Sequence, residues 1–153
     1  MMEPTIATRE AFTVMGVQVR CTPAEADFYD IWENQYMPRD AEVKACSIDG
    51  AYYGLCFCTG AEGAVDYLAG MAVADGTRAP EGLVVREAPV ATEAIFECTV
   101  DTISQTYSFI HGEWLQTSGY EYDHSAPDFE YYPPAAPSGE QPVFIHIPVK
   151  PKA

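Results

Sequence analysis

The sequence predicts an α+β protein built from two β-α-β-β units that join in one mainly antiparallel sheet. The order strand, helix, strand, strand occurs on each side of residues 74–82, a polar and turn-rich segment. Two segments have apolar residues at helical spacing, and the other runs are rich in β-branched and aromatic residues. Identity between the halves is negligible, so the repeat lies in the element order alone. We expect one domain over residues 1–153, with pseudo-repeats at about 10–74 and 83–150 related by a pseudo-twofold axis, and two helices flanking a central cleft.

The first unit begins with a predicted strand over residues 12–21, F-T-V-M-G-V-Q-V-R-C. The T-P-A-E sequence that follows predicts a capping box, with Thr22 as the N-cap and Glu25 at the third helical position. Apolar residues at helical spacing extend this helix over about residues 23–37, and Pro38 is expected to end it.

Three strands follow in the predicted order. After a D-G loop, the strands over residues 52–58 and 65–73 are joined by a T-G-A-E-G turn and complete the first unit. A strand over about residues 85–98 opens the second unit. Pro89 within it predicts a bulge or an edge position, because proline cannot donate a hydrogen bond to a neighbouring strand.

The helix of the second unit is predicted over about residues 100–117. Apolar and aromatic side chains fall at steps of three and four along it and form one continuous stripe. Gly119 fits a C-terminal cap. Strands over residues 128–132 and 143–150 close the unit, with a proline-rich loop between them at 133–140.

The composition argues against several classes of function. Eight basic residues against 23 acidic ones give a formal net charge of −15, which repels nucleic acid and anionic membranes and attracts cations. The acids are dispersed, so solubility alone also accounts for them. No apolar run approaches the roughly 20 residues of a membrane span, and the N-terminus lacks the layout of a signal peptide. We therefore expect a cytoplasmic protein.

Cysteines and histidines give no sign of a metal site. The five cysteines are Cys21, Cys46, Cys56, Cys58 and Cys98. Their number is odd and no C-x-x-C pair occurs, so mostly buried, reduced thiols are expected rather than a disulfide framework or a zinc site. The three histidines also lack metal-ligand spacing. We expect neither a metal nor a cofactor.

Short motifs occur along the chain in a characteristic order. F-T-V-M-G-V-Q-V-R opens the first strand, D-I-W-E lies in the first helix, and Y-L-A-G-M-A-V forms a strand of the first unit. E-W-L-Q-T-S-G-Y, P-D-F-E-Y-Y and I-H-I-P-V-K follow in the second unit. Together they resemble the GyrI-like family, which includes the effector-binding domains of AraC-type transcription activators and the DNA gyrase inhibitory protein. Relatives often have proline where this chain has Gln116, which affects only the helix exit.

The resemblance implies a duplicated β-α-β-β fold with a central pocket for lipophilic, often cationic or aromatic, small molecules. In such domains a carboxylate on the strand with the F-E-x-Y motif lies in the pocket, and Glu130 matches it. A tryptophan of the first helix commonly lines the pocket, and Trp32 matches it. Related regulators have a DNA-binding domain before this fold. The matching residues begin here at about residue 10, so we expect a freestanding binder.

Glu130 is the central candidate of the expected ligand-binding site. A carboxylate in an aromatic cleft gains most when a weakly hydrated cation neutralises it and stacks on the rings. A solvent-facing position on an edge strand is the alternative, and Glu97 is a second candidate acid that is expected to be exposed. The remaining expected ligand-binding residues lie on the helix stripes or on sheet strands, where an ordinary core role is the alternative: Phe28, Trp32, Tyr36, Tyr52, Phe96, Tyr107, Ile110 and Trp114.

The sequence thus predicts a protein that binds a small molecule for drug or effector sensing or for sequestration. Two other functions stay open. One is hydrolysis of strained electrophilic toxins, with a pocket glutamate of raised pKa activating water. The other is inhibition of a DNA-binding enzyme by an acidic surface, which would need the acids on one face. A homodimer or a regulatory protein partner is open too, and no nucleophile or oxyanion motif identifies a catalytic residue.

The cysteine pattern makes a prediction about the redox state. Protein isolated from the cytoplasm should contain five reduced thiols, because the odd number and the spacing do not fit a disulfide framework. Titration with a thiol reagent under denaturing conditions measures this directly. One free thiol in place of five would show two disulfides and contradict the prediction.

Overall fold

The computed structural model describes residues 3–61, 63–134 and 141–153, which form nine strands and two helical stretches. The strands in chain order are β1 Thr5–Arg9, β2 Phe12–Cys21, β3 Ser47–Cys58, β4 Val65–Val73, β5 Val84–Ala88, β6 Ala91–Cys98, β7 Tyr120–Tyr122, β8 Asp128–Tyr132 and β9 Val143–Pro151. The helical stretches are α1, residues 28–44, and α2, residues 100–117. Most of the loop predicted at 133–140 lies outside the described residues.

The strand order shows the duplication. The strands pair antiparallel in the order β1-β6-β9-β8-β3-β4-β2-β5, and β7 pairs with β9. The sequence β2-β4-β3 of the first unit is mirrored by β6-β9-β8 of the second, and β3 pairs with β8 at the centre. The α+β class and the duplicated β-α-β-β fold are therefore confirmed. The bounds of the units at 10–74 and 83–150 stay a prediction.

Both helices pack on the same face of the sheet. Ile31 of α1 is buried in a cluster with Met71 of β4, and Ile110 of α2 is buried in a cluster with Phe96 of β6 and Ile145 of β9. Each cluster occupies one half of the sheet, so the central strands β3 and β8 run between the helices. This placement leaves a cleft over the centre of the sheet, as the sequence predicted.

A long ribbon joins the two ends of the sheet. β1 pairs with β6 and β2 pairs with β5 in one register, with Arg9 opposite Ala91 and Phe12 opposite Ala88. The single strand predicted over residues 85–98 is thus divided, and Pro89 marks a break rather than a bulge because it has no N–H to donate across the ribbon.

The face of the sheet opposite the helices has its own buried cluster. Leu55, Leu68 and Phe129 are buried there, although no helix of the described residues packs on them. A charged group is buried on this face too. Glu93 is fully buried, and its two oxygens lie 2.8 Å from Arg9 Nε and 2.9 Å from His146 Nδ1. The protein therefore provides basic partners for this buried carboxylate.

The start of α1 differs from the prediction. In the T-P-A-E segment the N–H of Glu25 donates to the carbonyl of Thr22 at 2.9 Å, which forms a turn and not a helix. The helix begins five residues after the predicted start. Asp27 caps it, because its Oδ1 accepts a hydrogen bond from the N–H of Asp30 at 3.0 Å. The predicted capping box was wrong because a better N-cap follows it.

The end of α1 differs as well. Pro38 lies in the 3₁₀ turn Met37–Arg39, near its first position, where the missing N–H of proline removes little. The helix then continues to Lys44. α2 matches its predicted range, but Gly119 is not the left-handed cap that was expected, since its φ is not positive. The chain leaves α2 through the extended residue Ser118.

The thiols are free but more exposed than expected. All five cysteines are unpaired; Cys98 is buried, whereas Cys46 and Cys58 are exposed. The expectation of mostly buried thiols was therefore wrong for those two. In the part of the chain that the structure describes, no helix is long and apolar enough to cross a membrane.

The cap of α1 gives a test of the observed helix start. Asp27→Ala should lower the free energy of unfolding by about 1 kcal/mol, because the N–H of Asp30 loses its acceptor. Thr22→Ala is the matched control and should change it by less than about 0.5 kcal/mol, as expected for an exposed residue outside the helix. Urea denaturation measures both. A larger fall in the free energy of unfolding for Thr22→Ala than for Asp27→Ala would support the capping box at Thr22 and contradict the observed helix start.

Candidate ligand-binding site

A cavity of about 950 Å³ lies between the two helices, over the centre of the sheet. Phe28 and Trp32 of α1 form one wall, and Ile103 and Tyr107 of α2 form the other. Strands β3, β4 and β8 supply the floor: Tyr52, Cys56, Val65, Tyr67, Asp128, Glu130 and Tyr132. The site thus combines an aromatic wall with two carboxylates in its floor.

Glu130 is the centre of a hydrogen-bond network across the cavity. Its Oε2 accepts from the hydroxyl of Tyr107 at 2.7 Å, and its Oε1 accepts from the hydroxyls of Tyr67 at 3.1 Å and Tyr132 at 3.3 Å. The indole N–H of Trp32 in turn donates to the Tyr67 hydroxyl at 3.0 Å. One carboxylate therefore links α1, through Tyr67, with α2, through Tyr107.

A glycine makes room for this network. Gly54 of β3 is the register partner of Glu130 on β8. A Cβ atom on Gly54 would lie 2.1 Å from the Tyr67 hydroxyl oxygen and 2.9 Å from Glu130 Oε1. Both distances are far below van der Waals contact, so any side chain here would displace the network. Sequence analysis did not identify Gly54, although an isolated glycine inside a strand often marks such a close approach.

Burial changes the protonation of Glu130. It is 8% exposed, and burial raises its pKa to about 7, although the hydrogen bond from Tyr107 opposes the shift. The neighbouring charge of Asp128 raises this pKa further. The Tyr67 and Tyr107 hydroxyls, whose pKa values burial raises well above the usual range, remain neutral donors. Near neutral pH, Glu130 is therefore divided between its charged and its uncharged form.

Asp128 is a second acid of the cavity that sequence analysis missed. It stands two residues before Glu130 on β8, and its side chain points to the same face of the strand. The Tyr122 hydroxyl donates to its Oδ1, and burial raises its pKa. Strand alternation from Glu130 would have identified both Asp128 and Tyr132, so the signal was present in the sequence.

Both helices widen into a π-helical turn beside the cavity. In α1 this turn is Ile31–Tyr36 and contains Trp32, whose ring packs edge-on against Tyr52 and Tyr132 at centroid distances of 6.2 and 5.9 Å. In α2 it is Ile110–Trp114. π-turns often occur at functional sites because they re-orient side chains within a helix.

The α2 side of the rim has a stack of three rings. His111 is stacked on Tyr107 and on Tyr122, with both centroid distances at 6.3 Å and interplanar angles of 10° and 29°. His111 is exposed, yet it lines the cavity next to Asp128. Its ring therefore extends the aromatic wall to the solvent.

The structure brings five of the nine expected site residues together in the cavity: Glu130, Trp32, Tyr107, Phe28 and Tyr52. The other four do not line it. Tyr36 is buried behind Trp32, with its hydroxyl donating to Asp40 at 2.8 Å, and Ile110, Trp114 and Phe96 belong to the core under α2. A helical stripe is wide enough to face both the sheet and the cleft, so spacing alone could not separate the two sets.

Among the described residues, no group of three or more histidine, cysteine or acidic side chains is placed to hold a metal ion. The chemistry of the cavity is instead that of carboxylates, hydroxyls and rings. Such a lining can neutralise a positive charge and bury a large apolar frame at the same time.

The family model Cass2, integron-associated effector binding protein, matches residues 5–149. The chain belongs to this family. The match spans almost the whole chain, confirms the resemblance to GyrI-like proteins, and identifies a small-molecule-binding protein of the effector-binding class.

A curated relative is a transcription regulator. The chain is 28% identical over 153 residues to the transcriptional regulator BrlR of Pseudomonas aeruginosa, with 95% of this chain and 56% of BrlR covered. The chain thus spans about half the length of that relative.

Solved structures share the fold at lower identity. SAV2435 bound to tetraphenylphosphonium superimposes with a TM-score of 0.79 at 20% identity, over 97% of this chain and 94% of that one. The integron cassette protein VCH_CASS2 from the mobile metagenome of Vibrio cholerae gives 0.65 at 22% identity, over 97% and 96%. The C-terminal domain of EcmrR gives 0.71 at 16% identity, over 99% of both chains.

The raised pKa of Glu130 makes stability depend on pH. The group titrates at about 7 in the folded state, against 4.5 for an ordinary glutamate, so the folded state binds more protons between these values. The resulting stabilisation is complete below pH 4.5 and is lost as the pH rises to 7. Relative to Glu130→Gln, the free energy of unfolding of the wild type should therefore fall by about 2 to 3 kcal/mol between pH 5 and pH 8.

Urea denaturation at several pH values measures this difference. Glu97→Gln, which removes an exposed acid from β6, is the control and should keep the wild-type profile. Identical pH profiles for the wild type and Glu130→Gln would show that Glu130 titrates as an ordinary surface carboxylate.

Proposed function

We propose that the protein binds lipophilic cationic or aromatic compounds in the cavity between its helices, with Glu130 as the counter-charge. The observation that carries this proposal is the set of partners of Glu130, which are three tyrosine hydroxyls. Hydroxyls stabilise the charged form without neutralising it. A bound cation would supply the missing positive charge.

The energetics favour large, weakly hydrated cations. Such an ion loses little hydration on entering an apolar cavity, and its charge is attracted to the faces of the aromatic rings as well as to the carboxylate. A small, strongly hydrated cation would lose more than the site returns. A neutral aromatic compound would gain the ring contacts alone, so it should bind more weakly.

The rim of the cavity fits a lipophilic ligand. Tyr29 and Val100, one from each helical side, are 74% and 66% exposed and line the mouth of the cavity. Exposed apolar side chains around a pocket commonly mark a binding surface. A ligand with several aromatic rings would cover them on entry.

The relatives support this type of ligand. SAV2435, which shares the fold, has a solved structure bound to tetraphenylphosphonium, a lipophilic cation, and BrlR is a transcriptional regulator. We propose sensing or sequestration of such compounds as the biological use. A regulatory protein partner of this chain is part of the proposal as well, since BrlR is a transcriptional regulator.

Glu130→Gln tests the counter-charge. The substitution keeps the size of the side chain and removes its charge. Affinity for methyltriphenylphosphonium should fall about tenfold to a hundredfold, the value of a charge-assisted contact shielded from water. Triphenylphosphine oxide is neutral and of similar size, and its affinity should change by less than about threefold, because the ring contacts remain. Calorimetric titration of both compounds against both proteins gives the four affinities.

Glu97→Gln is the matched control, since it removes one negative charge far from the cavity and should leave both affinities unchanged. Equal affinity of the wild type and Glu130→Gln for the phosphonium would refute the role of Glu130. Failure of the phosphonium to bind the wild type at all would refute the proposed function.

A further inference from the structure

Asp128 places a second carboxylate in the floor of the cavity. It and Glu130 are two residues apart on β8, so both side chains leave the same face of the strand and line the same cavity. Two residues of a strand span about 7 Å, which is the approximate spacing of the two backbone positions from which the acidic side chains extend.

The two carboxylates differ in their hydrogen bonds. Glu130 accepts from three tyrosine hydroxyls, whereas within the described chain Asp128 accepts from the Tyr122 hydroxyl alone. The nearby hydroxyl of Tyr107 is directed to Glu130 at 2.7 Å. A carboxylate has about four acceptor positions, and Asp128 also keeps part of its surface open to the cavity. Most of its capacity is therefore available to a ligand.

Neither carboxylate has a basic partner in the described part of the chain, where no lysine, arginine or histidine lies within 4 Å of either one. The contrast with Glu93 is informative. That buried carboxylate, on the other face of the sheet, is paired with Arg9 and His146. The fold thus pairs one buried acid with an arginine, whereas among the described residues the two acids of the cavity have no lysine or arginine partner. The basic group next to them is His111, whose charge lowers the pKa of Asp128.

We propose that Asp128 and Glu130 together make the site selective for dications, aromatic frames with two positive charges about 7 Å apart, over monocations of the same frame. This inference rests on the proposed function of the cavity. Glu130 takes one charge beside Trp32 and Tyr107, and Asp128 takes the other beside Tyr122 and the ring of His111. Asp128 is then a specificity-determining residue, while Glu130 is needed for every cation.

The selectivity follows from repulsion between the acids. Two neighbouring carboxylates in a buried site disfavour each other's charged form. For this reason the charge of Asp128 raises the pKa of Glu130. A monocation compensates one of them and leaves the other as an uncompensated charge or as a neutral acid. A dication compensates both, so it gains a second charge-assisted contact and removes the repulsion.

Two quaternary ammonium probes of the same frame test the inference. Benzyltrimethylammonium has one charge, and 1,4-bis(trimethylammoniomethyl)benzene has two, separated by about the span of two strand residues. Neither can lose a proton, so the charge of the ligand is fixed. At pH 7.5 the wild type should bind the dication at least about tenfold more tightly than the monocation, which is about 1.4 kcal/mol.

Asp128→Asn should reduce this ratio to about threefold or less, because the dication loses its second charge-assisted contact while the monocation keeps its contact with Glu130. Glu97→Gln is the matched control: Glu97 is exposed on β6 and does not line the cavity, so its loss should leave the ratio unchanged. Circular dichroism checks that each variant is folded. If Asp128→Asn does not fold, Tyr122→Phe serves instead, since it keeps Asp128 but removes its one hydroxyl donor, and it should also lower the ratio.

The outcomes separate the two proposals. Equal affinities of the wild type for the two probes, or a ratio that survives Asp128→Asn, overturns the role of Asp128 while leaving the cation site intact. A ratio that is also lost in Glu97→Gln would mean that net charge, and not Asp128, sets the selectivity, and would overturn it too. If neither probe nor the phosphonium binds the wild type, the proposed function fails and this inference falls with it.

Discussion

The buried charge of Glu130 is the constraint on which the rest of the site depends. A carboxylate that is 8% exposed is tolerated only with strong hydrogen bonding, and three tyrosine hydroxyls from three different elements provide it. Because Tyr67 lies under α1 and Tyr107 belongs to α2, satisfying this acid also fixes the distance between the helices. The width of the cavity is therefore set by the same contacts that hold its charge.

The duplicated fold explains why this charge can stay accessible. Each β-α-β-β unit has its own core, in which one helix covers one half of the sheet, so neither helix needs to cover the central strands β3 and β8. The join between the units is then a region of this face where polar groups can be partly buried and still reach solvent. Gly54 on the facing strand supplies the remaining space.

The buried acids on the two faces of the sheet have different partners. Glu93 is buried against Arg9 and His146 and forms a structural ion pair with Arg9. Asp128 and Glu130 are surrounded by rings and hydroxyls, and no lysine or arginine of the described residues is paired with either. An unpaired buried carboxylate lowers stability, and carboxylates with such perturbed pKa values cluster at functional sites.

The sequence by itself determined the fold class, the duplicated β-α-β-β order and the range of α2, because periodicity is a local signal, and its F-E-Y-Y motif identified Glu130 as a candidate. The short strands β1 and β7 were not predicted. Only the tertiary structure decided the start of α1 at Asp27, the division of the strand at Pro89 and which aromatic residues of each stripe face the cleft. A helix cap depends on which of several nearby acceptors the first N–H groups reach. An apolar stripe on a helix has the same spacing whether its residues face the core or the cleft. Asp128 lies between these cases. Alternation along β8 predicts the face of the strand from which its side chain extends. Only the tertiary structure shows that Arg9 pairs with Glu93 on the other face of the sheet and not with Asp128.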